Sequence, residues 1–179
     1  MNKSSILSDS ELAAITHWIS SIENIAQFQK KQRIKMAKKC MKLNYKIIGK
    51  GCNRIVYELN DQFVIKIAIS VLGIENNLYE HLLFKYCPPP IRHYFCPIIE
   101  KGEGWIIMKK MMNCVPEGEP FDTKINKMIE NLQNGGIEAK DLKRGNMALS
   151  KSGEIVLLDY GNFSMPSKGI IYFPRGKCI

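Results

Sequence analysis

No apolar run in this chain of 179 residues approaches the roughly 20 that a bilayer span requires, and its start shows no signal-peptide apolar block. A cytoplasmic protein without a transmembrane segment is therefore expected. Internal repeats, low-complexity tracts and Gly/Ser linkers are absent. Six cysteines stand at 40, 52, 87, 96, 114 and 178 without any C-x-x-C pair, which favours reduced thiols over a disulfide framework. His17, His81 and His93 offer no zinc-ligand spacing, and no Ser-His-Asp or Cys-His arrangement supports a hydrolase. What is present is apolar material, 45% of residues, enough for a proper core in a chain too short for two large independent domains.

Acidic residues are missing from Phe28 to Arg54, where ten Lys or Arg stand. The first sixty residues carry eleven basic and four acidic groups, so seven of the nine net positive charges are local to them. Such a segment can attract phosphate backbone, an anionic membrane or an acidic protein. No interleaved aromatics provide a base-stacking platform, so nucleic acid at residues 28–54 is not favoured over a solvated helix face. Just upstream, Ser8-Asp9-Ser10-Glu11 is a capping-box pattern, and Leu12, Ile15, Ile19, Ile22 and Ala26 follow at one-face spacing. One long amphipathic helix is expected to start near Ser8.

The residues that carry chemistry lie further on. Ala139 to Asn146 reads AKDLKRGN, and an apolar run then leads to Asp159-Tyr160-Gly161. Asp141 and Asn146 are five apart, and Asp159 follows Asp141 by eighteen. A loop offering a carboxylate and an amide, then a strand delivering a second carboxylate, can hold Mg²⁺ against a nucleoside triphosphate while orienting an attacking hydroxyl. Each piece alone is also an ordinary turn. Their order is what points to phosphoryl transfer.

Upstream, Tyr45 to Leu59 reads as two strands joined at Gly49-Lys50-Gly51, where missing side chains let backbone N–H groups approach phosphate. Phe63 to Ala68 is a β-branched run interrupted by Lys66, a cation that needs a partner in an otherwise apolar strand. That partner is expected on a helix over Ile74 to Tyr86, stopped before Pro88-Pro89-Pro90, with Glu80 the choice and Glu75 the competitor. Cys96 to Ile99 and Trp105 to Met108 read as a hairpin around Lys101-Gly102-Glu103-Gly104, and Phe121 to Gln133 as a helix closed by Asn134-Gly135-Gly136.

This order of residues resembles the protein kinase family, whose catalytic loop reads H-R-D-L-K-x-x-N and whose metal-binding turn reads D-F-G. The resemblance covers about Tyr45 to Phe163 and implies an α+β fold. Its parts would be a small lobe of five antiparallel strands with one helix (45–112), a much reduced C-terminal lobe (113–179) and a basic helical extension (1–44). By resemblance, Asp141 accepts the substrate hydroxyl proton, Lys143 steadies the transferred group, and Asn146 and Asp159 hold Mg²⁺. Lys66 contacts the ATP phosphates, Gly49, Gly51 and Val56 form the glycine-rich loop, Met108 lies at the back of the adenine pocket, and the hinge runs near Lys109 to Met112. Lys143 is more typical of serine/threonine kinases, and the reduced C-terminal part resembles truncated kinases of bacterial effectors and phages. Ala139 replaces the family histidine, a structural brace; Tyr160 replaces phenylalanine, a mild swap; Arg54 replaces the third glycine, where it stiffens the loop or adds a cation. The expected activity is Mg²⁺- and ATP-dependent phosphorylation of a protein serine or threonine, autophosphorylation included, alone or with an activating protein partner. Its alternatives are a pseudokinase-like module that captures a partner, and nucleotidyl transfer.

Overall fold

The structure, a computed structural model, describes residues 4–140 and 142–169. These form two units, one holding the chain up to Asn77 together with Ile98–Lys110, the other Leu78–Pro97 and the chain from Met111 onward.

In the first unit, α1 (Asp9–Ser20) begins at the expected capping box: the Glu11 N–H donates to Ser8 Oγ at 3.4 Å and the Ser8 N–H donates to Glu11 Oε2 at 2.8 Å. The single long helix does not form. Ser20 and Ser21 turn their hydroxyls back onto the carbonyls of His17 (2.9 Å) and Trp18 (2.7 Å), and a 3₁₀ turn at Glu23–Ile25 follows. A second helix, α2 (Lys30–Met41), restarts behind a Gln29/Gln32 box. Its basic residues divide from its apolar ones: Lys31, Lys35, Lys38 and Lys39 are exposed, whereas Ala37 and Met41 are buried.

Strands β1 (Lys46–Lys50), β2 (Arg54–Glu58), β3 (Phe63–Ala68), β4 (Ile98–Gly102) and β5 (Trp105–Lys109) form one antiparallel sheet in the order β1-β2-β3-β5-β4. Successive side chains along a strand alternate between faces. One face presents Ile55, Tyr57, Ile65, Ile67, Trp105 and Ile107, all buried in one cluster with Leu12, Ile15, Trp18, Ala37 and Met41 of the helical pair. Trp18 Nε1 donates to the Ala68 carbonyl at 2.8 Å, which seats α1 on the end of β3. Gly104, at φ +71°, must be glycine twice over, because a Cβ there would also stand 2.5 Å from Ile19 Cδ1.

Helix α3 (Val71–Tyr86) ends two residues before the proline run, and its residues are shared between the units. The second unit adds α4 (Phe121–Asn134), stopped by Gly135 as expected, and a small antiparallel sheet of β6 (Asn113–Cys114), β7 (Met147–Leu149) and β8 (Ile155–Leu157) in the order β6-β7-β8. Its interior contains Leu83, Ile91, Phe95, Met128, Leu132, Leu157, Tyr160 and Phe163, with Phe95 edge-on to Tyr160 at a centroid distance of 4.9 Å.

Candidate active site

Five of the residues singled out in the sequence, Gly49, Gly51, Val56, Lys66 and Met108, belong to the first unit, and Glu80, Lys143, Asn146 and Asp159 belong to the second. Asp141 lies outside the described residues.

In the first unit the strand register lines up the expected nucleotide residues on the sheet face opposite the helical pair. Gly49 is paired with Val56, Val56 with Lys66, and Lys66 with Ile106; Val64, two residues from Lys66, is paired with Met108. Lys66 is 6% exposed and Met108 is 1% exposed. Gly49 is not in the left-handed region, and a Cβ there would sit 3.2 Å from Val56 Cγ2, so a side chain at this position would press on Val56.

The turn after Gly49 is braced by side chains. Gly51 N–H closes it onto the Arg54 carbonyl at 2.9 Å. Arg33 of α2 donates to the Cys52 carbonyl at 3.3 Å, and the Ile69 N–H donates to the Asn53 carbonyl at 2.7 Å. Ser70 gives its hydroxyl to Asn53 Oδ1 and accepts the Gly73 N–H, so it both caps α3 and ties it to the turn. Gly73 permits that approach, since a Cβ there would fall 2.1 Å from the Asn53 oxygen. Arg54 is buried with Nη1 3.1 Å from Asn77 Oδ1, so the residue standing at the third glycine stiffens the turn against α3. Asn77 Nδ2 in turn donates to the carbonyls of Gly104 (2.9 Å) and Lys66 (3.3 Å). Cys52 is disulfide-bonded, which corrects the expectation of reduced thiols at that position; Cys40, Cys87, Cys96 and Cys114 are free.

Asn77, Asn53, Ser70 and Gly73 were not found by sequence reasoning. A faint signal existed for Asn77: an asparagine inside a helix is a poor helix former, so its presence implies another employment. At the start of the expected hinge, Lys110 is fixed through its N–H to the Gln62 carbonyl at 2.7 Å and through Nζ to Glu58 at 3.0 Å. The Lys110 ammonium holds the Glu58 carboxyl below the usual carboxylate range.

In the second unit the chemistry-bearing loop is braced through the main chain. Glu138 and Ser164 exchange N–H···O bonds of 2.9 and 3.0 Å, pairing the entrance of the expected catalytic loop with the chain after Asp159-Tyr160-Gly161. Asn146 immediately precedes β7, and its carbonyl accepts the Leu158 N–H at 2.7 Å, which brings Asn146 beside the residue before Asp159. The fully buried Glu80 accepts the N–H groups of Tyr160 (3.3 Å) and Gly161 (3.2 Å) on Oε1. The tyrosine is more than a mild swap, because its buried hydroxyl donates to the Cys96 carbonyl at 2.9 Å. Arg144 reaches Asp122 of α4 and the Pro116 carbonyl, which anchors the short 3₁₀ turn between the exposed Lys143 and Asn146.

No family model matches the sequence, and no curated protein is significantly similar. Among solved structures the chain is similar to WbdD in co-crystal with the kinase inhibitor LY294002, with a TM-score of 0.50 and 16% identity over 69% of this chain and 34% of that one. Two others are monomeric WbdD (0.48, 18%, 63% of this chain and 33% of that one) and a structure described as the bifunctional kinase-methyltransferase WbdD (0.46, 15%, 63% and 30%). The chain thus spans about a third of the length of the proteins it matches. The fold is kinase-like.

Proposed function

We propose that this chain transfers the γ-phosphate of ATP, with Mg²⁺, to a serine or threonine hydroxyl of a protein, its own included. The observation that carries the reading is the clasp of the buried Glu80 carboxylate on the two N–H groups that follow Asp159, with Asn146 bonded to the neighbouring Leu158. It fixes the backbone from which a carboxylate and an amide oxygen would be offered together. The donor set suits Mg²⁺, a hard ion usually held by one or two carboxylates while phosphate and water complete its shell. When bound, the metal would neutralise charge on the phosphates.

In this reading Lys66 holds the α- and β-phosphates and Glu80 is its counter-charge, while Gly49, Gly51 and Val56 close over the nucleotide and Met108 backs the base. Asp141 takes the proton of the attacking hydroxyl, and Lys143 steadies the phosphoryl group in flight. Positioning and charge compensation supply the rate, as is general for this chemistry. The similarity in fold to WbdD in co-crystal with a kinase inhibitor accords with nucleotide use.

The test is incubation of the protein with Mg²⁺ and γ-labelled or α-labelled ATP, with and without cell extract, beside Asp141→Ala and Asp159→Ala. Protein-bound label from the γ position that disappears in both variants is expected. Label retained from the α position alone makes the reaction nucleotidyl transfer. Nucleotide binding without any label, extract included, makes the chain a binding module.

A further inference from the structure

A cavity of about 310 Å³ lies in the first unit, lined by Lys38, Leu43, Tyr45, Ile47, Lys50 and Tyr57. It belongs to the helix-covered side of the sheet. Tyr57 and Ile47 are paired across β1 and β2 and both join the cluster beneath α1 and α2, whereas Gly49, Val56 and Lys66 line up on the other face. Lys50 is paired with Ile55, a residue of that same cluster. The proposed nucleotide residues therefore do not account for this cavity.

Its lining is chemically uneven. Tyr57 is 2% exposed as a residue, and its hydroxyl, which is not among the buried unpaired polar atoms, makes no hydrogen bond to any other described residue. Burial pushes that hydroxyl up to about 12, so it remains a proton donor at neutral pH. Lys38 and Lys50 are exposed and pair with no carboxylate among the described residues. Tyr45 commits its hydroxyl to Glu11, which leaves its ring, with Leu43 and Ile47, as the apolar part of the wall.

We propose that this cavity binds a phosphomonoester carried on a short apolar or aromatic stem. Two ammonium groups match a dianion better than a monoanion, and lysine serves phosphate as a point charge. The Tyr57 hydroxyl supplies a third donor for a group with three terminal oxygens, while Leu43, Ile47 and the Tyr45 ring take the stem. The volume stands at the small end of the range for small-molecule sites, which fits a side-chain-sized ligand and not a nucleoside triphosphate.

Phenyl phosphate is the probe, titrated by calorimetry into the full chain, with inorganic phosphate and phenol in parallel. Saturable binding of phenyl phosphate is expected, with inorganic phosphate at least about tenfold weaker, a difference of one pocketed apolar group. Tyr57→Phe keeps the ring and Lys38→Gln/Lys50→Gln changes only exposed positions, so both should fold; each should weaken phenyl phosphate about tenfold or more. Lys66→Met should leave it unchanged, because the binding is on the other face of the sheet. Equal affinity in the wild type and both pocket variants, loss in Lys66→Met, or no saturable binding overturns the proposal. Phosphate binding as tightly as phenyl phosphate overturns the apolar stem.

Discussion

The two loops on which the proposed chemistry depends are held by opposite means. The turn from Gly51 to Arg54 is held largely from outside, by the Arg33 guanidinium, the Ser70 hydroxyl and the Asn77 amide, side chains that come from α2, the start of α3 and its interior. The segment from Glu138 to Ser164 is held by its own main chain, through the Glu138–Ser164 pair and the Leu158–Asn146 bond, with Glu80 the main side chain added. A side-chain brace can be removed by one substitution, whereas a main-chain brace survives most of them. The difference predicts where each loop is fragile, and substitutions at four positions test it.

Glu80→Ala should have the largest effect, since it strips the acceptor from two buried N–H groups. Each unmet buried donor costs about 1 to 3 kcal/mol, so a loss of roughly 2 to 6 kcal/mol in urea unfolding is expected, together with loss of phosphoryl transfer. Glu80→Gln sharpens the reading. An amide oxygen can still accept both N–H groups, so stability should largely return while activity stays low if the charge is needed opposite Lys66. Full activity in Glu80→Gln would remove the counter-charge role.

Asn77→Ala comes next. It removes three hydrogen bonds at once, to Arg54, Gly104 and Lys66, and leaves a buried guanidinium with one partner fewer, for roughly 2 to 3 kcal/mol. Nucleotide affinity should fall with it, because the same amide holds the turn and the carbonyl of the strand lysine. Unchanged ATP binding by fluorescence titration would mean that the turn does not need its side-chain brace.

These two residues also mark how far the sequence could be read. Strand β3 was legible to the residue, because its β-branched run is bounded on both sides, and the close of α4 and the start of α1 followed from Gly135 and the Ser8–Glu11 box. The N-terminal helix failed at Ser20 and Ser21: the apolar spacing runs on through Ile22, but hydroxyl-to-carbonyl bonds end the helix locally. Strand β6, two residues long, is too short to carry a period. Among the proposed site residues, Lys66, Glu80, Asn146 and Asp159 could be singled out from the sequence because their residue types are chemically demanding at fixed spacing. Asn53, Ser70, Gly73 and Asn77 could not, since their employment lies mainly in partners 11 to 27 residues away that no local pattern names.

Tyr160→Phe probes the second loop more gently. It deletes the bond to the Cys96 carbonyl but leaves the ring against Phe95, so about 1 kcal/mol should be lost with little change in activity. A loss above roughly 3 kcal/mol would show that the main chain alone does not hold this turn.

Ala139→His should matter least, and for that reason it tests the comparison most directly. The residue stands where the resembled family keeps a bracing histidine, yet its neighbour Glu138 already exchanges both main-chain bonds with Ser164. Position 139 is half-buried, so an imidazole there has room to lie partly in solvent. With the brace supplied by the backbone, the ring has little left to do: stability should stay within about 0.5 kcal/mol of the wild type, and the turnover rate within a factor of about two. A tenfold rise in turnover, about 1.4 kcal/mol off the barrier, would mean the opposite. The proposed catalytic loop would then be under-braced in the native chain, and its main-chain bonds would no longer distinguish it from the turn at Gly51.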